Sequence, residues 1–294
     1  MNIDQYVLEK RQIINTELAR ILPENDVLSE AARYTILSPS NRWRPIITIA
    51  TAEMYDVPQE EVLHVACAIE SLHGASIMLD DLPSFDNAML RRGKPTLHMV
   101  YGENVALLAS FWIKECFAPS LLSLRKDVNI RGKLTDYFIS TTDNMIYGEA
   151  KDMSSKNSSM GIDEILNMYE QKSGALYELS AVAGGIVGQA NETELKHLAK
   201  YGKSMGTAYQ ILDDILDIES TPEQIGKDVG QDKNKPTLPK LIGIEASRIK
   251  AQQLMDESKK VLTYLSRKTD MLSELVDYIV LINWKITTPI VKFE

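Results

Sequence analysis

Residues 208–218 read Ala208-Tyr209-Gln210-Ile211-Leu212-Asp213-Asp214-Ile215-Leu216-Asp217-Ile218, an apolar run crossed by four polar side chains. Positions three, four and seven apart share one face of a helix, so Gln210, Asp213, Asp214 and Asp217 form one polar stripe. A carboxylate among apolar neighbours is costly unless it is paired or holds a cation, and this stripe carries three. The same grammar recurs upstream in Asp80-Asp81-Leu82-Pro83-Ser84-Phe85-Asp86, preceded at helical spacing by His73 and by Ser76 or Ile77. Pro83 ends that helix just after the Asp pair, at a terminus where cations are favoured over Asp. Either run alone reads equally well as a helix cap or a solvated face. Two of them, one followed by Arg91-Arg92-Gly93-Lys94-Pro95-Thr96 and the other by Lys227, suit several hard cations on a polyphosphate. Mg²⁺ is usually held by one or two carboxylates plus substrate phosphate, so no closed carboxylate cage is needed.

The chain has 294 residues, of which 44% are hydrophobic and 25% charged, an ordinary balance for a globular protein with a sizeable core. A formal net charge of −9 argues against nucleic acid as a partner, because phosphate backbones need a basic footprint. An anionic ligand on such a protein requires local compensation by metal ions and clustered Lys and Arg. Cys67 and Cys116 lie in apolar helical stretches without metal or disulfide spacing, and read as free thiols in a reducing compartment. Met1-Asn2-Ile3-Asp4-Gln5 lacks the basic-then-apolar pattern of a leader, and no run approaches membrane-spanning length. The expected location is the cytoplasm.

Helical periodicity recurs from end to end, with no β-rich segment, fixed repeat or obvious linker. It predicts helices over 3–21, 26–37, 46–55, from Pro58 through the first Asp pair, 104–124, 130–150, 163–189, from Asn191 to about 220, 244–266 and 270–284. Residues 39–41, 82–95, 151–161 and 224–239 are predicted loops, and Ser173-Gly174 and Gly184-Gly185 predict kinks or close helix contacts. The expected fold is all-α: one domain over 1–294, a helical bundle around a central cavity.

The ordered markers Arg42-Trp43-Arg44-Pro45, Glu70-x-x-His73, the Asp80–Asp86 run with Arg91-Arg92-Gly93-Lys94-Pro95-Thr96-x-His98, Tyr147-Gly148-Glu149-x-x-Asp152, Lys172-Ser173-Gly174, Gln210-x-x-Asp213-Asp214-x-x-Asp217 and Gly226-Lys227-x-x-Gly230-x-Asp232 resemble the trans-isoprenyl diphosphate synthases. That family includes the farnesyl and geranylgeranyl diphosphate synthases, and the resemblance runs from about Arg42 to Leu241. It implies a homodimeric prenyltransferase that uses Mg²⁺, three ions per site, to join isopentenyl diphosphate to an allylic diphosphate. By resemblance, Asp80 and Asp86 bind Mg²⁺ with Asp81 assisting, and Asp213 and Asp217 hold another ion with Asp214 near. Arg91, Lys172, Lys227 and Lys235 would contact the allylic diphosphate; Arg44, His73 and Arg92 would hold isopentenyl diphosphate. Gln210 would stabilise the cation. His64, His98 and His197 read as structural, with His98 a weak candidate.

Three departures from the family pattern stand out. Asn41 replaces a usual Lys, which predicts weaker isopentenyl diphosphate binding or a compensating cation nearby. Glu149 replaces a usual Gln, and Leu281-Ile282-Asn283-Trp284-Lys285 lacks an Arg often found near the family's C-terminus. Small residues at Ala75 and Ser76, upstream of Asp80, imply a pocket open beyond farnesyl length. The resemblance therefore implies a geranylgeranyl (twenty-carbon) product, with farnesyl (fifteen-carbon) as the near alternative. Two other readings stay open: a weakly active partner subunit of another synthase, favoured by Asn41, and a class I terpene cyclase, which would not need the isopentenyl site.

Overall fold

Helix starts follow the caps written into the chain. Asn2 accepts the amide of Gln5 (2.9 Å) to open α1, Ile3–Ile21. Asp26 and Ser29 form a reciprocal capping box for α2, Val27–Ile36, and Asn191 with Glu194 does the same for the 28-residue helix Glu192–Glu219. Such caps satisfy amides that the first helical turn leaves without partners. The computed structural model describes residues 2–122, 124, 126–230 and 234–287.

After α1 and α2 come α3 (Trp43–Met54), α4 (Gln59–Asp80), α5 (Leu97–Tyr101), α6 (Glu103–Leu122), α7 (Val128–Ser154), α8 (Ile162–Tyr169), α9 (Ala175–Val187) and α10 (Glu192–Glu219). Short α11 (Pro222–Ile225) and α12 (Leu238–Ile242) precede α13 (Ile244–Leu262) and α14 (Asp270–Thr287). The all-α expectation holds. The exception is a two-residue hairpin, β1 (Leu90–Arg91) with β2 (Lys94–Pro95), inside the predicted 82–95 loop. The helix predicted from residue 46 begins at Trp43, because Arg42 takes a left-handed φ of 58° that turns the chain into it. Two predicted boundaries are corrected. The 151–161 loop is helical to Ser154, and α12 lies at the end of the predicted 224–239 loop. Asp232 and the side chains of 281–285 lie outside the described residues.

α4 packs against α3 and α6, α9 against α3 and α10, and α7 along α9, so α3, α4, α9 and α10 form the centre. α9 is buried on all sides from Leu179 to Val187, and each large aliphatic side chain so buried contributes about 1.5–3 kcal/mol. The predicted disturbance at Gly184 is a close contact instead of a kink: an added Cβ would stand 2.5 Å from the Thr48 carbonyl of α3. At Ser173-Gly174 the helix does change, into a π-helical turn over Glu170–Gly174. The expectation that no run approaches membrane-spanning length is corrected too. α4 is long and apolar enough by that measure, but it is mostly buried and is read as a core helix. α4 and α10, the two helices that carry acidic runs, line a single cavity of about 1370 Å³.

Candidate active site

Asp80 is the last residue of α4 and Asp81 its C-cap. The Asp80 carbonyl accepts the Asp86 amide (3.0 Å), closing a turn that returns Asp86 to the cavity wall beside Asp80. Burial pushes the Asp80 carboxyl up to about 7, with Glu149 and Asp86 adding to the shift and Lys172 and Arg91 opposing it. Asp81 does not join them. It is buried away from the cavity, where both of its oxygens accept from Arg91 Nε (2.7 and 2.9 Å). Asp81 therefore holds Arg91, whose own side chain lines the cavity.

Across the cavity, Lys227 Nζ donates to both oxygens of Asp213 (2.8 and 2.7 Å). Burial raises the Asp213 carboxyl, but Lys227, with Arg91 and Lys172 adding to it, outweighs burial and the net position is below the usual range. Asp217, one turn on, lines the same wall. Asp214 is held from behind: the Tyr169 hydroxyl donates to one oxygen and Gln210 Nε2 to the other. Ser173 Oγ donates to Gln210 Oε1 (2.5 Å), which fixes the amide.

Between the two acidic runs lies a layer of lysines. Lys172, on the π-helical turn, donates to Asp152 Oδ2 (2.6 Å) and pairs with Glu149 Oε2 at 2.7 Å. Lys235 bridges Asp152 Oδ2 (2.8 Å) and Asp86 Oδ1 (2.9 Å). The turn sits tight on α7, because an added Cβ at Gly148 would be 2.5 Å from the Lys172 amide nitrogen. Asp152 was not among the expected site residues, since the helix predicted over 130–150 stops two residues short of it. Continued to Ser154, α7 puts Glu149 and Asp152 three apart on one face. Asp228 was missed as well. Its carboxylate accepts the Met89 and Leu90 amides (2.6 and 3.0 Å), and Gly93 N donates to the Gly226 carbonyl (2.7 Å), joining the loops that follow the two acidic runs. No short-range pattern marks such a contact.

The other end of the cavity is basic. Arg44 lies over the Tyr177 ring, 4.5 Å from its centroid, and its Nη1 is 3.2 Å from His73 Nε2. A guanidinium only donates, so that nitrogen of His73 accepts and the imidazole is neutral. Burial, then Arg44, Arg92 and Arg91, hold His73 well below its ordinary range. Burial together with Arg42, Arg91 and Arg44 brings Arg92 down to about 10, against the pull of Glu70. Glu70 is itself taken, by Arg42 at 2.6 Å. Ala75 and Ser76 line the cavity, as do Phe111 and Lys114 of α6. His98, the weak candidate, lies off the cavity with Nδ1 3.1 Å from Thr96 Oγ1, His64 pairs with Glu17, and His197 stacks on Tyr264.

The acidic side suits hard cations. Ammonium and guanidinium nitrogens sit within 2.9 Å of oxygens of Asp81, Asp86, Asp152 and Asp213, and Glu149 Oε1 is buried without a partner. Among the described residues no three acidic, His or Cys side chains converge on one metal position. That donor set fits an ion held by one or two carboxylates with ligand oxygens completing its shell.

Comparison with known proteins gives the same picture. The chain is 33% identical over 288 residues to a geranylgeranyl diphosphate synthase of Cyanophora paradoxa, covering 95% of this chain and 96% of that protein. It is 34% identical over 290 residues to a dimethylallyltranstransferase of Fischerella ambigua, covering 95% and 83%. The structure of a Helicobacter pylori geranyltransferase complexed with magnesium and isoprenyl diphosphate superposes with a TM-score of 0.85 at 26% identity, covering 97% and 98% of the two chains. The sequence profile described as Polyprenyl synthetase matches residues 25–277, a span that takes in both acidic runs and the lysines between them. This chain belongs to the polyprenyl synthetase family.

Proposed function

We propose that the protein is a short-chain trans-prenyltransferase that condenses isopentenyl diphosphate with dimethylallyl, geranyl or farnesyl diphosphate. The observation that carries the reading is the division of one cavity: acidic runs interleaved with lysines at one end, arginines almost without acids at the other. The allylic C–O bond breaks, and diphosphate leaves with the electron pair as an allylic cation forms. The double bond of isopentenyl diphosphate attacks that cation, making the new C–C bond and a second, tertiary cation. Loss of a proton from the neighbouring carbon to a diphosphate oxygen restores a double bond. The products are an allylic diphosphate longer by five carbons and free diphosphate.

Charge separation is the difficult step, so preorganised positive charge at the leaving group supplies most of the acceleration. Arg91, Lys172, Lys227 and Lys235 contact the departing diphosphate, and Gln210 directs its amide at the developing cation. Asp80 and Asp86 on one side and Asp213 and Asp217 on the other hold Mg²⁺, three ions per site. Those ions would act as Lewis acids and as a template for the diphosphate. Asp81 acts through Arg91, and Asp214 through Gln210. Arg44, Arg92 and neutral His73 hold the diphosphate of the second substrate.

The small Ala75 and Ser76 favour a geranylgeranyl product over farnesyl. A homodimer is supported by apolar side chains left exposed on α6 and α7 away from the cavity, among them Leu107, Leu108 and Ile139. A cytoplasmic location is supported by the free thiols of Cys67 and Cys116. Asn41 favours a second reading, a partner subunit with little activity of its own. Incubating the purified protein alone with labelled isopentenyl diphosphate, an allylic primer and Mg²⁺ separates the two: elongated prenyl diphosphate supports the enzyme, and no product at any length supports the subunit. Hydrocarbon released from farnesyl diphosphate alone would indicate a cyclase instead.

A further inference from the structure

The resemblance leads one to expect a Lys at position 41, where this chain has an uncharged Asn lining the basic end of the cavity. Arg11 of α1 lines the cavity too, and it precedes residues 25–277, the span matched by the family profile. Two independent contacts bring α1 to that end. Asn15, one helical turn after Arg11 and so on the same face, accepts from Arg42 Nε (2.8 Å), and Arg42 directly follows Asn41. On the other side, α14 packs against both α1 and α3, and its Tyr278 ring stands edge-on to Trp43 with centroids 5.9 Å apart. Trp43 directly precedes Arg44.

Arg11 is half-buried, and among the described residues it has no ion pair or hydrogen bond; its Nε is buried and unsatisfied. Arg42 differs, since Glu70 and Asn15 already occupy its guanidinium. An unpaired, partly desolvated guanidinium beside an acid-poor pocket is suited to an anion with several oxygens. We propose that Arg11 supplies the positive charge absent at Asn41 and binds the diphosphate of isopentenyl diphosphate, so that the N-terminal helix is part of the substrate site.

This inference rests on the prenyltransferase reading, and steady-state kinetics with the two substrates varied separately keep them apart. If the wild-type protein makes no elongated product, the prenyltransferase reading fails. With an active wild type, Arg11→Gln is expected to raise KM for isopentenyl diphosphate about tenfold or more, leaving KM for the allylic primer and kcat within about twofold. Asn41→Lys in the Arg11→Gln background should recover most of the loss, because it restores the charge from the other side of the pocket. A merely structural Arg11 would not be rescued by a lysine on a different element. An unchanged KM for isopentenyl diphosphate in Arg11→Gln overturns the proposal. So does an equal rise for both substrates, or a loss that Asn41→Lys does not repair.

Discussion

The two ends of the cavity solve the same problem, binding a diphosphate, in opposite ways. At the acidic end Asp80, Asp86, Asp152 and Asp213 outnumber what an anion could tolerate, and lysines sit between them. At the basic end Arg44 and Arg92 face a neutral His73, Arg11 lines the cavity, and Glu70 is neutralised by Arg42. Carboxylates around an anion make sense only if divalent cations intervene, and that arrangement suits the diphosphate that must leave. Direct arginine contacts suit the diphosphate that only has to be held. The difference assigns bond breaking to one end and positioning to the other.

That contrast can be broken by substitution. The largest effect belongs to Asp80→Asn and Asp213→Asn, each expected to lower kcat by on the order of 10³-fold or more with helical content unchanged by circular dichroism. Near-normal turnover in either would remove the acidic end from the chemistry. Arg44→Gln should act differently, raising KM for isopentenyl diphosphate by roughly tenfold to a hundredfold while sparing the allylic substrate. Asp81→Asn sharpens the distinction within the acidic end. Since Asp81 holds Arg91 from outside the cavity, its loss should cost about tenfold, well short of Asp80→Asn. Ala75→Phe should shift the prenyl alcohols recovered after dephosphorylation from twenty toward fifteen carbons, and unaltered chain length would take Ala75 out of the specificity wall.

The smallest effect is on stability. Burial and the surrounding arginines lower the folded-state pKa of His73. As pH falls below about 6.5, the unfolded chain takes up a proton that the native imidazole refuses, so stability declines by up to about 1.4 kcal/mol per pH unit. His73→Gln should remove that component from the dependence of Tm on pH between about 6.5 and 5.5. An identical acid dependence in the variant would show that His73 is not held neutral.

Much of this was legible in the chain because the informative features are local. Helical spacing alone puts Gln210, Asp213, Asp214 and Asp217 on one stripe, and Pro83 marks the end of α4. What stayed hidden depends on contacts between distant segments. The spacing of Asp80-Asp81 gives both carboxylates equal standing, but in the fold the C-cap geometry turns Asp81 outward onto Arg91. Asp152 was missed as a site residue because polar residues after 150 look like a loop, whereas α7 runs on through it and Lys172 of the π-helical turn pairs with it. Arg11 carries no sequence signal at all: it is one of several charged residues on an amphipathic helix until α1 is packed beside Arg42.

The most direct test is calorimetric titration of the protein with each substrate class, with and without Mg²⁺, using a thiolo-diphosphate allylic analogue that cannot ionise. The account predicts that the allylic analogue binds tightly only with Mg²⁺ present, whereas isopentenyl diphosphate binds with similar affinity in either condition. Tight, Mg²⁺-independent binding of the allylic analogue, or an equal Mg²⁺ requirement for both ligands, would contradict the division of the cavity.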